Sequence, residues 1–142
     1  MTVGLRGYDF TNGTGDSMYV YMPPEREVGD LLILHVTMNG ANASHDLGDD
    51  WDLIDSITGG DSIHVYQRYC DGTETDETEY VGAFTDPTNS NFVNYQVAVS
   101  AWYSTEDVAV SIDAYNNQTN GASSSIPFPS ITTTVENTML LR

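Results

Sequence analysis

The residues able to do chemistry in this chain are few in kind: three histidines, one cysteine, two tryptophans and twenty-one carboxylates. Imidazoles and carboxylates are the raw material of a transition-metal site, yet His35, His45 and His64 follow no ligand spacing. His35 and His64 fall among aliphatic neighbours in extended stretches, which reads as a structural role, and His45 lies in a polar loop and reads as solvated. Two acidic runs offer oxygen ligands of the kind calcium takes: Asp46-Leu47-Gly48-Asp49-Asp50 with Asp52, and Asp71-Gly72-Thr73-Glu74-Thr75-Asp76-Glu77. Neither has the one-three-five acidic spacing and distal glutamate of an EF-hand loop, so both are expected as hydrated acidic loops.

Nucleophilic chemistry finds less support. Cys70 stands alone, which rules out an intramolecular disulfide and a cysteine zinc site, and it reads as a small buried hydrophobe. The serines lack a Gly-x-Ser-x-Gly elbow. Gly13-Thr14-Gly15 lacks the downstream Gly, Lys and helix of a phosphate loop. A carboxylate pair for glycoside hydrolysis is set by the fold rather than by spacing, and nothing in the sequence positively marks one. The reading is therefore non-enzymatic: no catalytic, cofactor-binding or metal-ligating residue is assigned, and no cofactor. Trp51 and Trp102 are the residues best suited to stack on sugar rings or anchor an interface, but each sits in or beside an apolar strand and is expected in the core. Three glycosylation sequons begin at Asn12, Asn42 and Asn117, all in expected loops.

The elements that must position these side chains are strands. Helical periodicity is scarce, while short β-branched and aromatic runs alternate with Gly, Asn, Asp and Pro. Strands are expected at Ser17–Met22, at Asp30–Met38 as a central strand, at Trp51–Ile57, at Ile63–Cys70 and at Tyr80–Phe84. The longest, Phe92–Tyr103, is followed by a strand or irregular crossover at Val108–Asp113 and by strands at Ile131–Val135 and Thr138–Leu141. Thr73–Glu79 and Asn116–Ser125 read as loops. About eight strands with no helix to cover a sheet imply one all-β domain over residues 1–142, a two-sheet antiparallel β-sandwich. The chain stops at Leu140-Leu141-Arg142 inside a strand pattern, as a piece of a longer protein would.

Charge sets the habitat. With four arginines, no lysine and 21 acids the formal charge is −17. The acids spread from Asp9 to Glu136 among nine tyrosines and many aliphatic residues, so the chain has a core to bury and is not an acidic tail. At about 1 M salt the Debye length falls to about 3 Å and the self-repulsion is screened. The composition points to a halophilic or marine source. Nucleic-acid binding is excluded by the lack of cations to meet phosphate, and attachment to anionic lipid by the same lack. No apolar run approaches the length of a membrane span, so no membrane insertion is expected, and the N-terminus carries no secretory-signal pattern.

Several segments, in order, carry a resemblance. They are Val28-Gly29-Asp30-Leu31-Leu32, then Trp51 with Leu53-Ile54-Asp55, then Val65-Tyr66-Gln67-Arg68-Tyr69. Ala98-Val99-Ser100-Ala101-Trp102-Tyr103, Ile112-Asp113-Ala114 and Pro129-Ser130-Ile131-Thr132-Thr133-Thr134 before Met139-Leu140-Leu141 complete the set. From Val28 onward this pattern resembles a family of jelly-roll-like β-sandwich domains found in tailed-virus structural proteins and in some secreted bacterial and archaeal proteins. Two features depart from it: Arg68 stands where lysine is usual, and Ser104-Thr105-Glu106-Asp107 replaces a bulky-Gly-Val segment. The resemblance implies a virion structural protein, a capsid decoration protein or tail or fibre component. Such a protein acts at the virion surface or outside cells, as a homo-oligomer and with other virion proteins. The alternative is a carbohydrate-binding module of a fibre or secreted protein, with a host-surface glycan as partner.

Overall fold

The computed structural model describes residues 2–39, 44–45, 47–57, 61–80, 84–85, 93–105 and 109–114. These form nine strands: β1 (Val3–Gly15), β2 (Met18–Tyr21), β3 (Leu31–Asn39), β4 (Ser44–His45), β5 (Asp52–Ile57), β6 (Asp61–Tyr69), β7 (Glu77–Tyr80), β8 (Phe84–Thr85) and β9 (Val93–Ser104). A single 3-10 turn, Gly48–Asp50, precedes β5. All pairings are antiparallel. The large sheet has the order β1-β9-β3-β6-β5, β2 pairs with β7, and β4 with β8. This is the all-β, two-sheet sandwich that the strand and turn pattern implies, and β3 lies at the centre of its large sheet as expected.

The core follows from period-two alternation. Leu32, Leu34, Val36 and Met38 of β3 are each 0% exposed and meet Ala101, Val99, Val97 and Tyr95 of β9 in register. Met18 and Val20 of β2, with Met22 beyond it, close the cluster from the small sheet. Burying each such side chain is worth about 1.5–3 kcal/mol relative to exposure. Leu31 and Ile33, on the opposite face of β3, are also buried, because Val110 and the half-buried Ile112 lie across them together with Trp102. Residues 109–114 contain no strand. The segment is the irregular crossover of the two readings, and it covers one end of the outward face.

Several expectations need correction. β1 was not foreseen, although at thirteen residues it is the longest strand described. Its alternation is broken at Arg6, where the register with β9 slips by one residue, and four glycines dilute its apolar signal. Two of those glycines have a packing reason: a Cβ at Gly4 or Gly13 would run into the ring of the cross-strand Tyr103 or Tyr95. β7 begins at Glu77, inside the stretch read as a charged loop. Its glutamates point to solvent while Thr78 and Tyr80 turn inward, so the charges occupy one face of a strand. His45 belongs to the short strand β4 rather than a loop. Asn12, the first sequon, stands in β1. The strands expected at 131–135 and 138–141, the loop at 116–125, the Gly59-Gly60 turn and the sequon asparagines Asn42 and Asn117 lie outside the described residues.

Candidate functional site

The second acidic run is the natural place to look for a cation, and there the acids are already engaged. Glu74 has a side chain 0% exposed and lies 3.0 Å from the Arg68 guanidinium. It also accepts hydrogen bonds from the backbone N–H of Asp71 (2.9 Å) and Gly72 (3.0 Å) and from the Cys70 thiol (3.2 Å). Burial pushes the Glu74 carboxyl up, but the donors around it win, and its pKa falls below the ordinary value. The Cys70 thiol moves the other way, raised first by burial and then by its bond to Glu74. Asp71 accepts from both the N–H (2.8 Å) and hydroxyl (2.6 Å) of Thr73, closing the turn. The loop is a hydrogen-bonded clamp whose oxygens point at its own donors.

The cations at this end are equally committed. Arg6, released from the β1 alternation by its bulge, reaches Asp30 through Nε (2.7 Å) and Nη2 (3.2 Å). The buried Asp30 also accepts from the Glu27 N–H at 2.9 Å. Gly29 makes the turn possible with a φ of 95°, and its N–H donates to the Cys70 carbonyl at 2.8 Å. The Val-Gly-Asp-Leu-Leu segment is therefore a structural knot between β1, β3 and the end of β6. Arg26 donates to the carbonyls of Pro23 (3.1 Å) and Glu74 (3.0 Å) and pairs with Asp76 (3.0 Å). The three described arginines all serve the fold in this way. The negative surface has no free guanidinium among the described residues with which to meet phosphate.

Both tryptophans are in the interior, as the sequence suggests. Trp51, 5% exposed, donates from Nε1 to the Tyr80 hydroxyl at 3.1 Å and lies under Arg68, 5.7 Å from ring centroid to guanidinium carbon. Trp102 donates to Ser100 Oγ at 2.8 Å beneath the crossover. The strand histidines face opposite ways. His64 is buried on the inner side opposite Val36, and His35 looks outward from β3 opposite Val65. Desolvation lowers the pKa of both. Among the described residues no group of three or more His, Cys, Asp and Glu side chains converges as a metal site would require.

The sequence reading missed the feature that most distinguishes this surface. The outward positions of β1 are Leu5, Tyr8, Phe10, Asn12 and Thr14; those of β9 run from Asn94 through Gln96, Ala98 and Ser100 to Trp102. β3 contributes Leu31, Ile33, His35 and Thr37, and β6 adds Ile63, Val65, Gln67 and Tyr69. None of these is acidic, in a chain that devotes 21 of 142 residues to Asp and Glu. The acids at outward positions lie at the margin: Asp52 and Asp55 of the edge strand β5, and Asp61, which opens β6 opposite Asn39. Tyr8 (69%) and Phe10 (51%) on β1 and Ile63 (39%) on β6 are exposed on this face, with Ala98, Gln96, His35 and Thr37 between them. Sorting each strand by alternate positions reveals the neutrality of β9, but the full face needs the register and the unforeseen β1.

At the far end of the same face the exposed rings give way to amides and hydroxyls. Asn12, Thr14, Thr37, Asn39, Asn94 and Gln96, with Gly13, Met38 and Tyr95, line an open recess of about 440 Å³. Thr14 donates to Asn94 Oδ1 at 2.6 Å, and the Asn94 N–H donates to Asn39 Oδ1 at 2.9 Å, so three strands are cross-linked at its floor. Neutral donors and acceptors beside exposed rings suit a neutral polar ligand or a wet protein contact. No family model, no curated protein and no solved structure matches this chain.

Proposed function

We propose that the chain is a non-enzymatic structural module of a virion, of the capsid-decoration or tail and fibre type, working in strong salt through protein–protein contacts. The observation that carries this reading is the lack of acids at the outward positions of β1, β9, β3 and 63–69 of β6, with Tyr8 and Phe10 exposed there on a molecule of charge −17. Charge is depleted at the centres of protein interfaces and aromatic residues are enriched there. The resemblance to virion β-sandwich domains supplies the setting, and its Val-Gly-Asp-Leu-Leu segment acquires a structural reason in the Arg6–Asp30 knot. An antibody against the chain, applied to particles banded from a producing culture, tests the proposal. Recovery in fixed proportion to the major particle protein supports it, and absence from particles refutes it.

A second reading, a carbohydrate-binding module, is favoured by the amide-lined recess beside the exposed rings. It predicts binding to a neutral glycan on an array, lost on Asn94→Ala and on Tyr8→Ala. An array with no signal in strong salt removes it.

A further inference from the structure

We propose that the outward face of the five-stranded sheet is self-complementary, and that two copies of this chain pack on one another through it about a two-fold axis. The inference rests on reading this face as a contact surface, and it names the partner. Charge selects that partner. A basic protein gains most by docking on the carboxylate-covered surfaces, whereas a second copy, even in salt that screens its −17, is opposed wherever carboxylates meet at contact distance and is free to pack where they are missing. Among the described residues, the outward positions of β1, β9, β3 and 63–69 of β6 form such a place.

Size sets the strength. With the end over Leu31 and Ile33 taken by the crossover, four strands spaced about 4.8 Å apart stay open over about six residues at roughly 3.3 Å each, a face of about 400 Å². Two such faces bury about 800 Å², the scale of a weak, reversible contact. Chemistry agrees. Tyr8 and Phe10 on β1 and Ile63 on β6 supply apolar contacts on the two sides of the face, and Ala98, Thr37 and Gln96 between them, with Asn12 and Asn94, supply a neutral surface able to hydrogen-bond. Two sheets stacked face to face with strands about 30° apart repeat the packing mode of a sandwich interior. A two-fold axis brings each ring onto the neutral surface of the other copy. The crossover 109–114 occupies one end of the face, over Leu31 and Ile33, and leaves Tyr8, Phe10 and Ile63 open.

Sedimentation equilibrium of the full chain in about 1 M salt, where the Debye length is about 3 Å, is the test. The wild type is expected to dimerise, and Phe10→Asp to weaken the dimer by at least about 30-fold, the loss typical of an interface hot spot. Circular dichroism confirms that the variant keeps its fold, as an already exposed position should allow. Single cysteines at Gln96, Ala98 and Ser100 supply a second measurement, since at least one lies close enough to the axis to form a disulfide-linked dimer under mild oxidation. The buried Cys70 stays silent in this assay. A wild type that remains monomeric overturns the proposal, as does a dimer indifferent to Phe10→Asp or one in which none of the three cysteines cross-links. A Phe10→Asp chain that melts several degrees lower while association is unchanged also overturns it, because the ring then serves the fold of a single copy. A monomer that is nevertheless found in particles removes the self-contact and leaves the virion reading standing. A dimer absent from particles does the reverse.

Discussion

Replacing Glu74 by glutamine is the sharpest probe of the clamp that ends the sandwich. The change preserves volume and removes the charge at a side chain 0% exposed. In the native loop Oε1 takes the Asp71 N–H and Arg68, while Oε2 takes the Gly72 N–H and the Cys70 thiol, so both oxygens face donors. Glutamine must turn its NH₂ toward one of these donor sets, leaving at least one backbone N–H facing another donor. Each hydrogen bond to a charged group contributes about 1.5–3 kcal/mol, and breaking a buried ion pair costs about 3–5 kcal/mol. Arg68 keeps 18% of its side chain in solvent and can be partly rehydrated, which places the loss near the lower end, about 3 kcal/mol. For a domain of this size that is about 6–12 °C in Tm. The assay is differential scanning calorimetry at pH 7 in about 1 M salt, which screens surface pairs and leaves a buried one nearly intact. Asp76→Asn is the control: Asp76 is 92% exposed in its pair with Arg26, and its loss should be small in the same salt. A Glu74→Gln shift under about 2 °C, or one no larger than the control, refutes the account of the loop as a buried clamp.

Other outcomes follow from the same structure. In strong salt the Tm should fall as pH drops below about 6.5 and fall further below about 4.5. His35, His64 and Glu74 all have folded pKa values lowered from their ordinary ones, so each contributes stability above its unfolded pKa that is lost as the folded group protonates; a Tm flat from pH 7 to 4 contradicts this. Gly29→Ala should cost about 1–3 kcal/mol through backbone strain alone, because its φ is 95° while nothing lies within 4 Å of a Cβ there; a neutral result in urea unfolding would show that the turn relaxes. Leu34→Ala, at a position 0% exposed between Tyr66 and Val99, should cost about 2–5 kcal/mol by the same measurement. The Cys70 thiol, buried and raised in pKa, should react slowly with iodoacetamide at pH 8 in the folded chain and at the ordinary rate in denaturant; equal rates would place it at the surface.

The sequence alone determined whatever depends on neighbours along the chain. Alternation named Asp30–Met38 as a central strand and Phe92–Tyr103 as the longest, and sorted each into two faces, because side-chain direction in a strand reverses at each residue without reference to any partner. The apolar surroundings of Trp51, Trp102 and Cys70 marked them as interior, and the charge balance was legible by counting. Where local pattern and tertiary need diverge, the sequence misled. β1 hides behind a bulge at Arg6 that the fold uses to send a guanidinium to Asp30, twenty-four residues away. Glu77 and Glu79 look like loop residues until β2 pairs with them and fixes which side meets solvent. The tertiary structure alone decided how the acidic loop closes and where the neutral face lies. An acidic run is the same string whether it binds an ion or closes on Arg68, since the partner arrives from another strand. A surface nearly free of acids exists once four strands from distant parts of the chain are set side by side in one register, because charge acts through space rather than along the sequence.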